Sequence, residues 1–418
     1  MQAQILTEMK GPFHTIALLA AVLFSSCNPA GHDPYEGYVF DLTVELDYGG
    51  DYASFVRAGV DLRAEDVNLG YAYLRSTDGE GRAHFRLPAG LYRISASDRD
   101  GEDVFNATTD RYSLVSSGQK LVLKMKHSRA GSLVIKEIYS GGCRKAPAEG
   151  NYQADQYVII HNNDLQTRYL DSLCFGTLHP YNATASNPFL VRDAEGNDRL
   201  PDFVPIADAV WQFGGDGHTF PLQPGEDAVL CIRGAIDHAA SYPLSVNLNR
   251  KGYFVMYDAN LFPNKNYNPV PGSEIEQDHI LHCLTKTNPS VNATMISMAS
   301  PTAVLYRAKG VTMQEYIASE GAIVPIPGST NGSKVLACPP EWVLDAVEVF
   351  TASSSTNVKR LLDELDAGYV FLSAVYDSRV VARKRDEKAS EEAGYEVLAD
   401  SNNSSEDFVE LEKQSLRE

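Results

Sequence analysis

Two histidines and a cysteine crowd into six residues, Asp278-His279-Ile280-Leu281-His282-Cys283. Imidazole and thiolate are borderline-soft ligands suited to zinc or copper, so His279, His282 and Cys283 are the chain's densest metal-ligand set. On a helix, positions three apart share a face; on a strand they point to opposite faces. We read the pair as exposed or hydrogen-bonded histidines and expect no metal cofactor. A second set, Asp216, His218, Glu226 and Asp227, offers carboxylates beside an imidazole for acid–base work. It lies in Gly214-Gly215-Asp216-Gly217-His218 and Gln223-Pro224-Gly225-Glu226-Asp227, which is also ordinary turn chemistry. Two acidic runs, Asp98, Asp100, Glu102, Asp103 and Asp193, Glu195, Asn197, Asp198, suggest calcium. They lack the ligand spacing of an EF-hand and read as hairpin tips. No nucleophile elbow, zincin motif or phosphate loop occurs. The expectation is a non-catalytic chain, with a metal-assisted hydrolase as the enzymatic alternative.

The other candidates are aromatic. Tyr181 and Phe189 lie in Leu178–Phe189, and Phe262 and Tyr267 in Asn260–Gly272, all amid asparagine and proline. Rigid rings beside amides suit a surface for a sugar, peptide or protein. These four are the expected binding anchors.

The elements that must hold these residues are mostly strands. In Val39–Leu46, Val39, Asp41, Thr43 and Glu45 fall on one face and Phe40, Leu42, Val44 and Leu46 on the other. Turn chemistry at 77–81 and 88–90 separates further strands and closes a first block over 37–127. A joint at 127–131 leads to a second block, 131–413. Its flush apolar runs are interrupted by inserts at 179–201, 235–250 and 259–298. The fold expected is mainly β: tandem β-sandwiches with a few short helices. Thr312 with Glu315 predicts a capped helix. The spacing of Val358, Leu361, Leu362 and Leu365, with Gly368 as a stop, predicts another. Residues 340–346 are expected helical, with strand following. Cys143, Cys174, Cys231, Cys283 and Cys338 read mostly as buried apolar residues with at most one disulfide. The net charge of −19 argues against nucleic acid and against a polybasic membrane face.

Ile16–Phe24 is too short to span a bilayer, which takes about 20 apolar residues, but fits the core of a secretory signal behind Lys10. The start is either Met1 or Met9. Leu23-Phe24-Ser25-Ser26-Cys27 resembles the lipobox of bacterial lipoproteins, which implies lipidation at Cys27, a signal peptide over 1–26, a tether over 27–36 and a membrane anchored by acyl chains. Thr77, Asp78, Gly81, Phe85, Leu87, Pro88, Gly90 and Tyr92 resemble the carboxypeptidase regulatory-like (transthyretin-like) sandwich, a spacer and adhesion module. Leu133, Ile135, Glu137, Ile138, Tyr157, Ile159, Asn162, Asp171, Ser172, Cys174 and Leu178 resemble the lamin-tail domain, an immunoglobulin-like sandwich. His161 departs from that family's acidic or apolar residue. The whole arrangement resembles an uncharacterised outer-membrane lipoprotein family of Bacteroidota, a domain of unknown function. That resemblance implies outer-membrane residence and association with a TonB-dependent receptor. The expected role is ligand capture or partner docking, the alternative a structural or adhesive envelope protein.

Overall fold

Alternation in the first block becomes strand geometry. A computed structural model of the protein describes residues 39–100, 103–192 and 196–417; Cys27 and the rest of the signal and tether lie outside them. Strand β1 (Val39–Asp47) pairs with β4 (Arg82–Pro88) and, in parallel, with β7 (Gln119–Lys124). It faces a five-stranded sheet ordered β3 (Ala72–Ser76), β2 (Asp61–Asp66), β5 (Gly90–Asp100), β6 (Asp103–Leu114), β8 (Lys126–Arg129). Leu42, Val44, Phe85, Leu62, Ile94 and Phe105 close the core between the sheets. Among the described residues of the two acidic runs, three carboxylates have partners within the chain. Asp98 accepts from Tyr48 Oη (2.5 Å) and Arg57 (2.5 Å), Asp103 meets His127, and Asp198 pairs with Arg192. Glu102, Asp193 and Glu195 lie outside the described residues.

The second block is built on two six-stranded sheets. One runs β14 (Phe254–Val255), β13 (Asp227–Cys231), β10 (Tyr157–Asn162), β9 (Leu133–Tyr139), β19 (Val380–Arg383), β20 (Phe408–Leu411). The other runs β15 (His282–Lys286), β12 (Ala209–Gln212), β11 (Cys174–Gly176), β16 (Thr302–Tyr306), β17 (Val343–Thr351), β18 (Val370–Leu372). Ile135, Ile160, Phe175, Trp211, Leu230, Leu305 and Val347 meet between them. The outer faces are covered too. Val246 and Leu248 of the insert at 235–250 pack on Tyr157, Val229 and Val255. Leu178, Val204, Ile206, Met313 and Trp342 cover the other sheet. Strands buried on both faces must be apolar throughout rather than alternating, which is why β10 is a flush run.

The capping box of Thr312 and Glu315 forms as expected and starts α1 (Met313–Ala318). Two helix expectations are overturned. Residues 340–346 give only a helical turn at Pro340–Trp342, and β17 begins at Val343. Residues 358–368 form no helix. The backbone N–H groups of Arg360 and Leu361 donate to Glu348 Oε2 at 2.8 and 3.1 Å, and the Arg360 guanidinium grips Glu348 Oε1 at 2.6 Å. Glu348 on the neighbouring strand thus fixes this segment through both backbone N–H groups and the guanidinium, and Arg360 is buried with it. The apolar spacing is satisfied by a strap instead. The five cysteines 143, 174, 231, 283 and 338 are free thiols.

The blocks touch through polar contacts. Arg99 Nη1 donates to Asp400 O at 3.0 Å, Asn403 Nδ2 to Ser97 Oγ at 3.2 Å, and Arg93 lies 4.6 Å over the Tyr369 ring. At the joint, Gly131 N–H donates to Asp400 Oδ2 at 2.6 Å.

Candidate functional site

At the edge where β14 closes the first sheet, an open groove of about 560 Å³ is lined by Phe220, Glu226, Asp227, Phe254, Asp278 and His279. It joins members of the two sequence motifs that suggested chemistry. His279 lies flat on Phe254, with ring centroids 4.3 Å apart, and edge-on to Phe220 at 5.2 Å. Its Nδ1 meets Asp278 Oδ1 at 3.0 Å, and that bond holds the Asp278 carboxyl below the ordinary carboxylate range.

The turn that carries Phe220 is organised by a residue to which the sequence reading gave no role. Asp171 accepts from the N–H groups of Gly217 (3.0 Å), Thr219 (2.8 Å) and Phe220 (2.9 Å). Burial raises the Asp171 carboxyl, but these three donors outweigh it and lower it overall. A side chain at Gly215, where φ is 99°, would place its Cβ 2.0 Å from Asp171 Oδ1, so glycine is required there. Asp216 and His218 serve this turn. Asp216 Oδ1 accepts from Thr219 Oγ1, and His218 rests edge-on against Tyr169. They bring no acid–base pair together.

Behind the groove wall, Asp227 belongs to a charge network. Its Oδ1 meets His161 Nδ1 at 2.6 Å and its Oδ2 meets Lys136 Nζ at 2.6 Å; Lys136 also reaches Glu396 Oε2 at 2.5 Å. His161 is fully buried, and its Nε2 faces Glu396 O at 3.0 Å. Both ring nitrogens therefore face acceptors. Lys136 is placed by a bulge. Ile159 pairs with Glu137 and Ile160 with Ile135, which leaves Lys136 as the extra residue of β9. Burial pushes the Asp227 carboxyl up, but His161 and Lys136 outweigh it and hold it low.

His161, Asp227 and Glu396 offer ligand atoms all within 4.8 Å of one another. The ammonium of Lys136 bonds both carboxylates, so this triad already holds its cation. The candidate ligands His279, His282 and Cys283 point apart. His282 starts strand β15 and is exposed, Cys283 turns the other way onto the core, and His279 faces the groove.

The four expected anchors are corrected in part. Phe262 is 1% exposed and packs at a tilt against Trp211, with ring centroids 5.4 Å apart. Phe189 is buried against Phe203 and His179. Apolar neighbours on the sandwich draw both rings inward, so neither is a surface anchor. Tyr181 and Tyr267 remain half-buried at the rim and stand within electrostatic reach of one residue, Arg233.

The architecture is thus that of a mainly β protein built from sandwiches. Residues 223–415 match the model of a family described as "Protein of unknown function (DUF4876)". The crystal structure of a DUF4876 family protein from Bacteroides thetaiotaomicron superposes with a TM-score of 0.55 at 24% identity, over 88% of this chain and 94% of that one. No curated protein matches. The chain is therefore similar to an uncharacterised family with a member in the Bacteroidota.

Proposed function

We propose that this chain is a non-catalytic cell-envelope lipoprotein that captures a ligand or docks a partner, accessory to a TonB-dependent uptake system. The observation that carries capture is the groove at β14, where aromatic rings floor a wall of carboxylates. Asp227 is already paired with Lys136 and His161, so the anionic character of the wall comes from Glu226 and from Asp278, whose carboxyl is held low. Asp227 is committed to Lys136 and His161, which makes it a weak base and favours binding over acid–base chemistry. An anionic wall over aromatic rings selects a cationic group, such as a lysine or arginine side chain of a partner. Calorimetric titration with an oligolysine peptide should show binding that weakens with salt. The double variant Glu226→Gln/Asp278→Asn should lose about tenfold in affinity, the order expected for two charged contacts. Equal binding by the variant would refute the groove as the site.

The envelope address rests on the lipobox-like stretch ending at Cys27. Acylation there would anchor the chain through buried CH₂ groups worth about 0.8 kcal/mol each. Cys27→Ala should move the protein from the detergent phase to the aqueous phase and abolish labelling by a palmitate analogue. Labelling equal to the wild type would remove the anchor from the proposal.

A further inference from the structure

Three arginines are buried among the described residues: Arg233, Arg360 and Arg383. Two are matched by carboxylates. Arg360 meets Glu348 at 2.6 Å and Arg383 meets Asp345 at 2.6 Å. Arg233 is 2% exposed, yet no carboxylate among the described residues lies within the 4.0 Å of an ion pair. Its Nε donates to Thr294 O at 3.0 Å and its Nη1 to Gln153 O at 2.8 Å. Nη2, with both its hydrogens, has no acceptor among the described residues. A guanidinium taken out of water without a counter-charge is costly, and structural arginines are paired for that reason. Arg360 and Arg383 follow this rule; Arg233 departs from it.

What surrounds Arg233 is donor-rich and aromatic. The Tyr267 ring lies 4.8 Å from the guanidinium. Tyr267 Oη accepts from Gln153 Nε2 at 3.2 Å, which leaves its own proton free to donate. Tyr181 Oη is buried and has no hydrogen-bond partner. Tyr376 Oη donates to the same Gln153 at 3.4 Å. Tyr181, Gln153, Tyr267 and Tyr376 are all half-buried, so each of these neighbours of the guanidinium also reaches solvent. Asp155 is the carboxylate that Arg233 feels electrostatically, but its Oδ2 is committed to Tyr139 and Ser245.

We propose that Arg233, with the hydroxyls of Tyr181 and Tyr267, is a receptor for one oxyanion of an organic ligand, and that a planar carboxylate fits it best. The free end of the guanidinium presents adjacent N–H groups in the fork that carboxylates accept. The two tyrosine hydroxyls supply further donors, and the Tyr267 and Tyr376 rings supply apolar faces for the rest of the ligand. Arg233 follows the end of β13, whereas the groove opens at the start of that strand, so the two sites are separate and this inference does not depend on the cationic one.

The full chain should be titrated with D-glucuronate, hippurate, inorganic phosphate and sulfate, with chloride at equal ionic strength as the reference. A carboxylate should raise the melting temperature by about 2–4 °C at saturation, as ligand linkage predicts. Tyr181→Phe and Tyr267→Phe remove single hydroxyls without altering packing, and each should weaken binding about fivefold or more. Arg233→Met should abolish the shift. Stabilisation by phosphate or sulfate alone, lost in Arg233→Met, would keep the oxyanion receptor and assign it to an inorganic or ester oxyanion. No shift with any anion, or the same shift with chloride, would overturn the proposal. So would an unchanged shift in the two phenylalanine variants, which test the site even if Arg233→Met does not fold.

Discussion

Arg383→Met should cost about 3–5 kcal/mol of folding stability at pH 8, the range for stripping one partner from a buried ion pair, and noticeably less at pH 5. Arg383 sits among three carboxylates: Asp345 at 2.6 Å, Asp400 at 3.0 Å and Asp407 at 3.6 Å. It also donates to Ile135 O at 2.9 Å. The network fastens both ends of the second block. Asp345 takes the Ile135 N–H of β9, Asp400 takes the Gly131 N–H of the joint, and Asp407 takes Ser401 N–H before the last strand. Burial pushes the Asp345 and Asp407 carboxyls up, and Arg383 pulls them down. Without the guanidinium the upward push is opposed only by donors such as the Ile135 and Ser401 N–H groups, and both carboxyls rise further. A carboxylate whose folded pKa is raised contributes stability that is full below its unfolded pKa, near 4, and is lost as pH rises through the folded value. The variant should therefore be rescued by acid. Denaturant midpoints of variant and wild type at pH 5 and pH 8 measure the gap directly. A gap that does not narrow at pH 5 would mean that the seat of the guanidinium on the Phe408 ring, 4.5 Å from its centroid, matters more than its pairing with the carboxylates.

How much of this was readable beforehand varies with the physics involved. Strand β10 was readable because an uninterrupted apolar run has few other uses, although the sequence could not say that an insert covers its outer face. The capping box at Thr312 was readable because its partners are three residues apart. The strap at 358–368 was misread because leucine spacing reports burial, and burial alone does not make a helix. Glu348, on a strand 12 residues before Arg360, holds the segment instead, through the N–H groups of Arg360 and Leu361 and the Arg360 guanidinium. Chemistry at the groove was half readable. Glu226, Asp227 and His279 were suspected by type, but nothing local announced that they meet. Lys136, which neutralises Asp227, and Glu396, which shares its ammonium, lie 260 residues apart and are unremarkable in isolation. Phe262 misled because asparagine and proline surround it. Its neighbour Leu261 was the better signal, since two adjacent large apolar residues in a polar insert mark where the insert docks.

Asp155→Asn should leave stability nearly unchanged at pH 4 and raise it by about 2–3 kcal/mol at pH 8. Asp155 is fully buried. Its Oδ2 accepts from Ser245 Oγ at 2.5 Å and Tyr139 Oη at 3.1 Å, while its Oδ1 has no partner. Burial outweighs these donors and pushes the carboxyl up to about 6. The unfolded chain ionises near 3.9. Between those values the folded state holds a proton that the unfolded state has lost, so stability falls as pH rises from about 4 to about 6 and is level above that. Two pH units at about 1.4 kcal/mol each set the upper size of the effect. Asparagine removes the titration. Its carbonyl takes the place of Oδ2, and its NH₂ faces the empty side where a protonated Asp155 would place its O–H. The orphaned donor is then the same in both proteins at pH 4, and only the buried charge distinguishes them at pH 8. Thermal melts of the two proteins across pH 4 to 8 separate this site from Asp345 and Asp407, whose titrations are common to both and cancel in the difference. Parallel curves, with no divergence above pH 5, would show that the Asp155 charge is already balanced inside the fold.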